Sequence, residues 1–482
     1  MEKKKVISSL AYKFIERLSV KGLGMIISVV LARMLAPEDF GQIAIMTVFI
    51  NLSQVIVESG LTTALVQRKD VTDQDYSTVF FINFALAIVC FVVLQVAAPW
   101  ISAYYNQDIT KPLQVYAFTV FFGAFNALQL AKMQKQMQFK RMMACSLTAT
   151  VISGVAGIAA AYGGLGIWAL IIYNMTNSAV LCVVAVSVQK WLPKLEFSLQ
   201  RARLLFSYGW KMFVSAVLCS LYNDIRSLVI GKKFSNTDLA YYNRGQQFPQ
   251  VISNTLDSAI QSVMFPTMAT IQDETEKMRK MLRMSVTTGA YIIIPCMFGL
   301  AAVSEDFVRL VLTDKWLPCV PYMQWLCIAE AAVPIISSNL IAIKASGRSD
   351  VYMRLEMVRR VVMLVLLVGS ISLFGTVEAI AIGYCVSRWV DALIVMFPVK
   401  KLIHYGVKDQ ISDLWKTILA AAVMFAAVLS MNLLGWNNLV LLPAQIAAGI
   451  EVYLAAGTIL GNEAQKNLVK NLKTAAAHKK HG

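Results

Sequence analysis

The chain has 482 residues, 57% hydrophobic and only 15% charged, with a mean hydropathy of +0.61. Soluble domains of this length are rarely so apolar, and runs able to cross a hydrocarbon core about 30 Å thick, which takes about 20 helical residues, recur from end to end. No stretch is left for a large soluble domain, and the formal charge of +16, which could suit nucleic acid, is better explained as Lys and Arg holding loops in the cytoplasm.

The opening segment MEKKKVISSLAYKFIERLSVKGLG has a basic head, but its apolar part carries Glu16, Arg17 and Lys21 and lacks a small-residue cleavage site. It is therefore expected to be a retained first helix rather than a signal peptide. With Pro, Gly and charge clusters as punctuation, spans are predicted at about 8–34, 40–66, 77–101, 112–131, 142–162, 166–188 and 204–231. A second set follows at about 240–266, 284–303, 320–343, 355–375, 378–399, 412–434 and 438–460. The fold class is thus an all-α polytopic membrane protein of about 14 transmembrane helices.

Alternate connections separate by charge. One set holds Arg68 and Lys69, then Lys132, Lys135, Lys140 and Arg141, then Lys190, Lys194, Arg201 and Arg203. In the second half it holds Lys277, Arg279, Lys280 and Arg283, then Lys344 and Arg348, then Lys400, Lys401 and Lys408. These loops are expected in the cytoplasm, and the basic termini with them, in a multi-pass protein of the inner membrane. The eight cysteines are scattered, with no CxxC pair, and suit small core residues rather than disulfides or metal ligands.

Sliding the chain along itself by about 199 residues lays LARMLAPEDFG (31–41) over IGKKFSNTDLA (230–240) and VESG (57–60) over LDSA (256–259), matching Glu58 with Asp257. Six helices separate the copies, so the repeats are parallel. The expected architecture is two parallel six-helix lobes around a central cleft plus two C-terminal helices. The first lobe covers 1–200, the second 201–405 and the added pair 406–462, with a basic cytoplasmic tail over 463–482.

The polar residues point to that cleft. Gln247, Gln250, Asn254, Asp257 and Gln261 are spaced 3, 4, 3 and 4, one continuous stripe on a helix. Thr47, Asn51, Gln54 and Glu58 keep the same rhythm in the second span. A charge near the bilayer centre costs about 2.5–3.5 kcal/mol on insertion scales, so such residues face protein or a water-filled cavity. For the amides, polar packing between helices stays open beside cleft lining; Glu58 and Asp257 are candidates for a site coupling transport to H+ or Na+. Lys13, Arg17 and Lys21 share a face of the first span, and Arg17 and Lys21 either pair with an acid or line the cleft for an anionic group, with Arg244 and Arg226 extending that lining. Arg388 and Asp391, three apart, are expected to form a structural pair. Walker A, Rossmann glycine and HExxH signatures are absent, so no enzyme, cofactor or metal is expected.

LARMLAPEDFGQIAI, GLTTALVQRKDVTDQDYST, IGKKFS and LAYYNRGQQFPQ resemble the corresponding segments of bacterial polysaccharide-exporting flippases, in the branch containing the colanic acid exporter. The resemblance runs over about 1–460, within a superfamily that also holds multidrug extrusion proteins and the lipid II flippase. It implies an alternating-access transporter that moves an undecaprenyl-pyrophosphate-linked repeat unit from the cytoplasmic to the periplasmic leaflet for O antigen, capsule or exopolysaccharide assembly. It also implies membrane lipids and the pathway's polymerase and glycosyltransferases as partners. A cation-coupled multidrug antiporter is the alternative, and the basic first span argues against it.

Overall fold

The structure, a computed structural model, describes residues 19–468 apart from 59 and 69. Among the described residues there is no strand. The first helix, α1, is helical over 19–34, and α2 (Pro37–Glu58) and α3 (Leu61–Gln67) follow it. Then come α4 (Asp73–Tyr105), α5 (Thr110–Tyr116), α6 (Thr119–Lys135), α7 (Phe139–Tyr162), α8 (Ile167–Gln189) and α9 (Leu199–Lys233). The remainder is α10 (Asn236–Thr270), α11 (Thr275–Ala302), α12 (Ser304–Val311), α13 (Val320–Glu330), α14 (Val333–Ala345), α15 (Ser349–Leu373), α16 (Val377–Ile403), α17 (Val407–Ser430) and α18 (Asn438–Ile459).

Among the described residues, 11 helical runs are long and apolar enough to cross a membrane. The sequence pattern predicts about 14, and the shortfall has a physical reason. Only 16 residues of α1 are described, α10 carries the polar stripe, and α15 carries Arg354, Glu356, Arg359 and Arg360. The apolar surface is turned outward: α4 exposes Val89, Val92, Val93, Val96 and Trp100, a lipid-facing stripe at helical spacing. Between such helices the hydrophobic effect contributes little, and close packing of small residues and interhelical hydrogen bonds take over. On α7 the buried face holds Ser153, Gly154 and Gly157; Gly157 lies against Tyr173 of α8, and Asn177 of α8 donates to the Ser153 hydroxyl at 3.1 Å.

The chain forms two compact units, 1–240 and 241–482. That division falls 40 residues after the repeat boundary at 200/201, because α9 packs within the first unit against α2, α3 and α4. The repeat itself reappears as one cap used twice. Asp39 accepts from the amide of Ala36 at 3.1 Å, and Asp238, 199 positions on, accepts from the amide of Ser235 at 3.2 Å, each starting the helix that follows. Gly41, two residues past the first cap, touches the backbone of Asn236, so α2 and the α9–α10 connection meet without a side chain between them. Gly60, left-handed at φ 67°, breaks α2 from α3 and lies against the backbone of Gly209 in α9.

Each unit ties an early helix to a late one at the basic end. In the first, Arg201 of α9 reaches Asp75 of α4 at 2.8 Å, and Lys132 of α6 reaches Asp73 at 2.8 Å. Asp75 also accepts from the Thr72 amide (2.8 Å) and hydroxyl (2.9 Å), capping α4. Beneath them lies a core of Leu61, Leu65, Tyr76, Phe80, Trp191 and Leu205. In the second, Arg283 of α11 grips Asp413 of α17 through two hydrogen bonds (2.8 and 2.6 Å), and Tyr405 donates to the same carboxylate at 2.7 Å. Burial and that carboxylate push the Tyr405 phenol above its ordinary range. The polarity is reversed: the acid is on the earlier helix, α4, in the first tie and on the later one, α17, in the second. Nearby, Asn339 and Gln410, both fully buried, exchange amide hydrogen bonds of 3.0 and 2.9 Å. Gln410→Leu should leave the buried side-chain carbonyl of Asn339 without its donor, although its amide still donates to Ile335, and cost about 2 kcal/mol, read as a lower melting temperature in detergent, whereas an unchanged midpoint would mean the pair contributes nothing.

Candidate functional site

The α10 stripe is divided by burial. Arg244 is 4% exposed, its guanidinium 4.9 Å from the centroid of the fully buried Trp316 ring, and donates to Gln247 at 2.6 Å. Gly245, beside it, meets the backbone of Cys319 and Met323, so α10 crosses the start of α13 at close range. Gln250 is half-buried and Asn254 exposed. Asp257 is 7% exposed and accepts hydrogen bonds from Ser337 of α14 and from Gln261, one turn on. So Asp257 and Gln261 form a linked pair inside the second unit, while Asn254 keeps its amide available.

On α2, Asn51 and Glu58 are exposed, and Gln54 packs on Gly123 of α6, whose open face admits it. Glu58 ends its helix, whereas α10 runs on past Asp257 for three more turns. The matched acids therefore sit in unlike surroundings. Lys21 is exposed on α1; Arg17 lies outside the described residues.

The pairing expected within α16 is corrected. Asp391, 3% exposed, pairs with Arg359 of α15 at 3.4 Å, and Arg359 also binds Glu356 at 2.6 Å. Arg388 turns to the ring of Tyr384 one turn earlier, 6.0 Å from its centroid. Asp391 lies on the side of α16 that packs on α15, within reach of the Arg359 guanidinium, and its ion pair forms there.

Sequence reasoning passed over Glu330. This residue is 3% exposed and accepts from Ser253 of α10 at 2.6 Å and from Tyr384 of α16 at 3.4 Å. With Asp257 it places two carboxylates and several hydroxyl and amide donors around α10. A signal was available: an acid midway through an apolar run, followed four residues later by Pro334. Among the described residues, no group of three or more His, Cys, Asp or Glu side chains could hold a metal ion. Farther along the same unit, α11, α17 and α18 frame a cavity of about 460 Å³ whose walls, including Tyr291, Gly299, Met424, Gly449 and Tyr453, are almost wholly apolar. Sugar hydroxyls would find few partners there, and hydrocarbon would.

An all-helical membrane protein with carboxylates and amides held inside its helices belongs, as a class, with transporters. The chain shares the fold of the lipid II flippase MurJ in its inward closed conformation, with a TM-score of 0.73 and 17% identity over 96% of this chain and all of that one. An inward-facing multidrug resistance transporter of the MATE family matches 81% of this chain and 98% of its own at a TM-score of 0.61 and 14% identity. Residues 30–321 match the polysaccharide biosynthesis protein family, and the chain belongs to it. Similar relatives include the lipopolysaccharide biosynthesis protein WzxC of Escherichia coli, 24% identical over 86% of this chain and 85% of that one. The teichuronic acid biosynthesis protein TuaB of Bacillus subtilis is 24% identical over 83% and 84%. The succinoglycan biosynthesis transport protein ExoT of Rhizobium meliloti is 22% identical over 81% and 77%.

Proposed function

We propose that this protein translocates lipid-linked oligosaccharides, an undecaprenyl-pyrophosphate repeat unit in particular, from the cytoplasmic to the periplasmic leaflet of the inner membrane for surface polysaccharide assembly. The observation that carries the reading is membership of the polysaccharide biosynthesis family by a chain whose α10 sets Gln250, Asn254 and Asp257 along one helix. Relatives named for lipopolysaccharide, succinoglycan transport and teichuronic acid biosynthesis support it over multidrug extrusion.

A sugar repeat unit carries many hydroxyls, each costing about 1–3 kcal/mol to bury without a partner, so unaided crossing is very slow. In this reading Asn51, Gln54, Gln247, Gln250, Asn254 and Gln261 replace water for the sugars, and Arg17, Lys21 and Arg244 attract the pyrophosphate, for which guanidinium forks are well shaped. Access to these residues alternates between the two leaflets, and an ion gradient, H+ or Na+, supplies the direction. Both termini lie in the cytoplasm, by the basic charge of that side; glycosyltransferases of the pathway would hand the unit over there, and a polymerase would collect it at the periplasmic leaflet.

The test is translocation of a fluorescent undecaprenyl-pyrophosphate oligosaccharide in proteoliposomes. An Arg17→Ala, Lys21→Ala variant should slow transport about tenfold or more if these cations hold the pyrophosphate. Equal rates would remove them from the site, and a wild-type protein that moves no such lipid would end the flippase reading.

A further inference from the structure

Exposed apolar side chains on the long helices face hydrocarbon, but one group of them lies beyond the apolar runs, after Gln189 and before Met212. Lys190, left-handed at φ 52°, ends α8, and Pro193 has no amide with which to continue a helix. The next helix starts only after Ser198, whose hydroxyl accepts from the Arg201 amide at 3.4 Å and caps α9. Along this stretch Leu195 is 95% exposed, and Leu192, Phe197 and Leu199 are exposed with it. Connections between helices are ordinarily polar.

The segment is fixed from behind. Trp191 is buried against Tyr76, ring centroids 5.8 Å apart, and its carbonyl accepts from Gln129 at 2.9 Å. The amides of Lys194 and Ser198 donate to the hydroxyls of Ser77 and Thr78, near the start of α4, at 3.1 and 3.3 Å. Its flank is basic. Gln189 donates to the Gln136 side chain at 3.1 Å, which sets the α6–α7 turn, with exposed Met137, Lys140 and Arg141, beside exposed Lys190 and Lys194. Glu196 is the sole acid within 136–141 and 189–199. About two turns before Lys190, α8 exposes Val183, so its lipid-facing surface runs on toward this segment.

We propose that residues 190–199, with the α6–α7 turn beside them, are a binding surface for anionic phospholipid. The leucines and Phe197 sit at the boundary between acyl chains and headgroups, and Lys190, Lys194, Lys140 and Arg141 hold the phosphates of that leaflet. Apolar side chains and cations are the two signals that together keep a segment on an anionic bilayer, and neither suffices alone. A docked protein would have to supply apolar area and acid at once, whereas an anionic leaflet offers both at the height where α8 leaves it. Because the backbone is already tied to α4, little ordering entropy opposes the binding. Ser198 starts α9, so the grip also sets the height at which α9 enters the membrane. None of this depends on which substrate the protein moves.

The experiment places an environment-sensitive fluorescent amino acid, dansylalanine, at Leu195 of the full chain, in nanodiscs of phosphatidylcholine and phosphatidylglycerol. The dye should emit as from an apolar medium, resist aqueous iodide and be quenched by lipids carrying a nitroxide near the headgroup. Labelled phosphatidylglycerol should quench it at a several-fold lower mole fraction than labelled phosphatidylcholine. Lys190→Ala with Lys194→Ala should erase most of that preference, each lysine near an anionic surface being worth about fivefold. A dye open to iodide and untouched by nitroxide lipids overturns the proposal, since the discs hold only lipid and this chain. Equal quenching by the two lipids before the lysines are removed overturns it too, as does a preference unchanged after their removal. The same dye at Tyr162, exposed at the other end of α7 beside a connection without Lys or Arg, is the control. Both lipids should quench it alike there, and a preference as large as at Leu195 would belong to the protein as a whole and overturn the assignment to this surface.

Discussion

Gly41→Ala should destabilise the protein by about 3 kcal/mol or more, the upper range for overpacking, because the added methyl runs into backbone. The atoms it meets are the carbonyl and α carbon of Asn236, which cannot rotate away as a side chain would. Either α2 retreats from the α9–α10 connection or the Asp238 cap is disturbed. Gly22→Ala is the matched control: its new methyl meets nothing within 4 Å, and alanine favours a helix over glycine by about 1 kcal/mol. Tryptophan fluorescence during thermal unfolding in detergent should therefore show a large drop for the first and none for the second. Equal midpoints for Gly41→Ala and wild type would mean that this close approach is not part of the native packing.

The second large effect is expected at Asp75, whose side chain is 3% exposed. Asp75→Ala removes the α4 cap and the partner of Arg201 together, at a cost of about 2–3 kcal/mol. Arg201→Ala should cost less, since the arginine is 39% exposed and Asp75 retains the Thr72 amide and hydroxyl. The order of the two single variants decides the matter. An Arg201→Ala change as damaging as Asp75→Ala would assign the energy to the ion pair and leave little to the cap.

What the sequence makes legible here is what depends on local pattern. The offset of 199 residues predicts two equivalent helix starts, and Asp39 and Asp238 form the same cap. The 3, 4, 3, 4 spacing predicts a polar face on α10, and Asp257 is indeed held by polar partners. Equivalence in sequence did not carry over to surroundings: Glu58 is exposed at the end of its helix, and Asp257 is buried within one. Contacts between distant segments were invisible. Ser253 and Glu330 are 77 positions apart, and Arg201 and Asp75 are 126. Nothing in composition or period chooses Arg359 as the partner of Asp391 over the nearer Arg388, because that choice depends on which side of α16 faces α15. The place of α9 was hidden for a related reason. The repeat starts a new copy there, but contact surface, not ancestry, decides which helices it packs against.

The reversed polarity of the two ties has a consequence for a chain built from similar halves. Each unit presents an early helix, α4 or α11, on which a late one, α9 or α17, must settle, so each late helix has a wrong berth as well as a right one. If α9 settled on α11, Arg201 would face Arg283; if α17 settled on α4, Asp413 would face Asp75. Like charges then repel in either misassembly, and only the correct assembly brings opposite charges together. Exchanging the sign of one tie gives each helix pair its own address: the charges favour the native pairing and oppose the exchanged one.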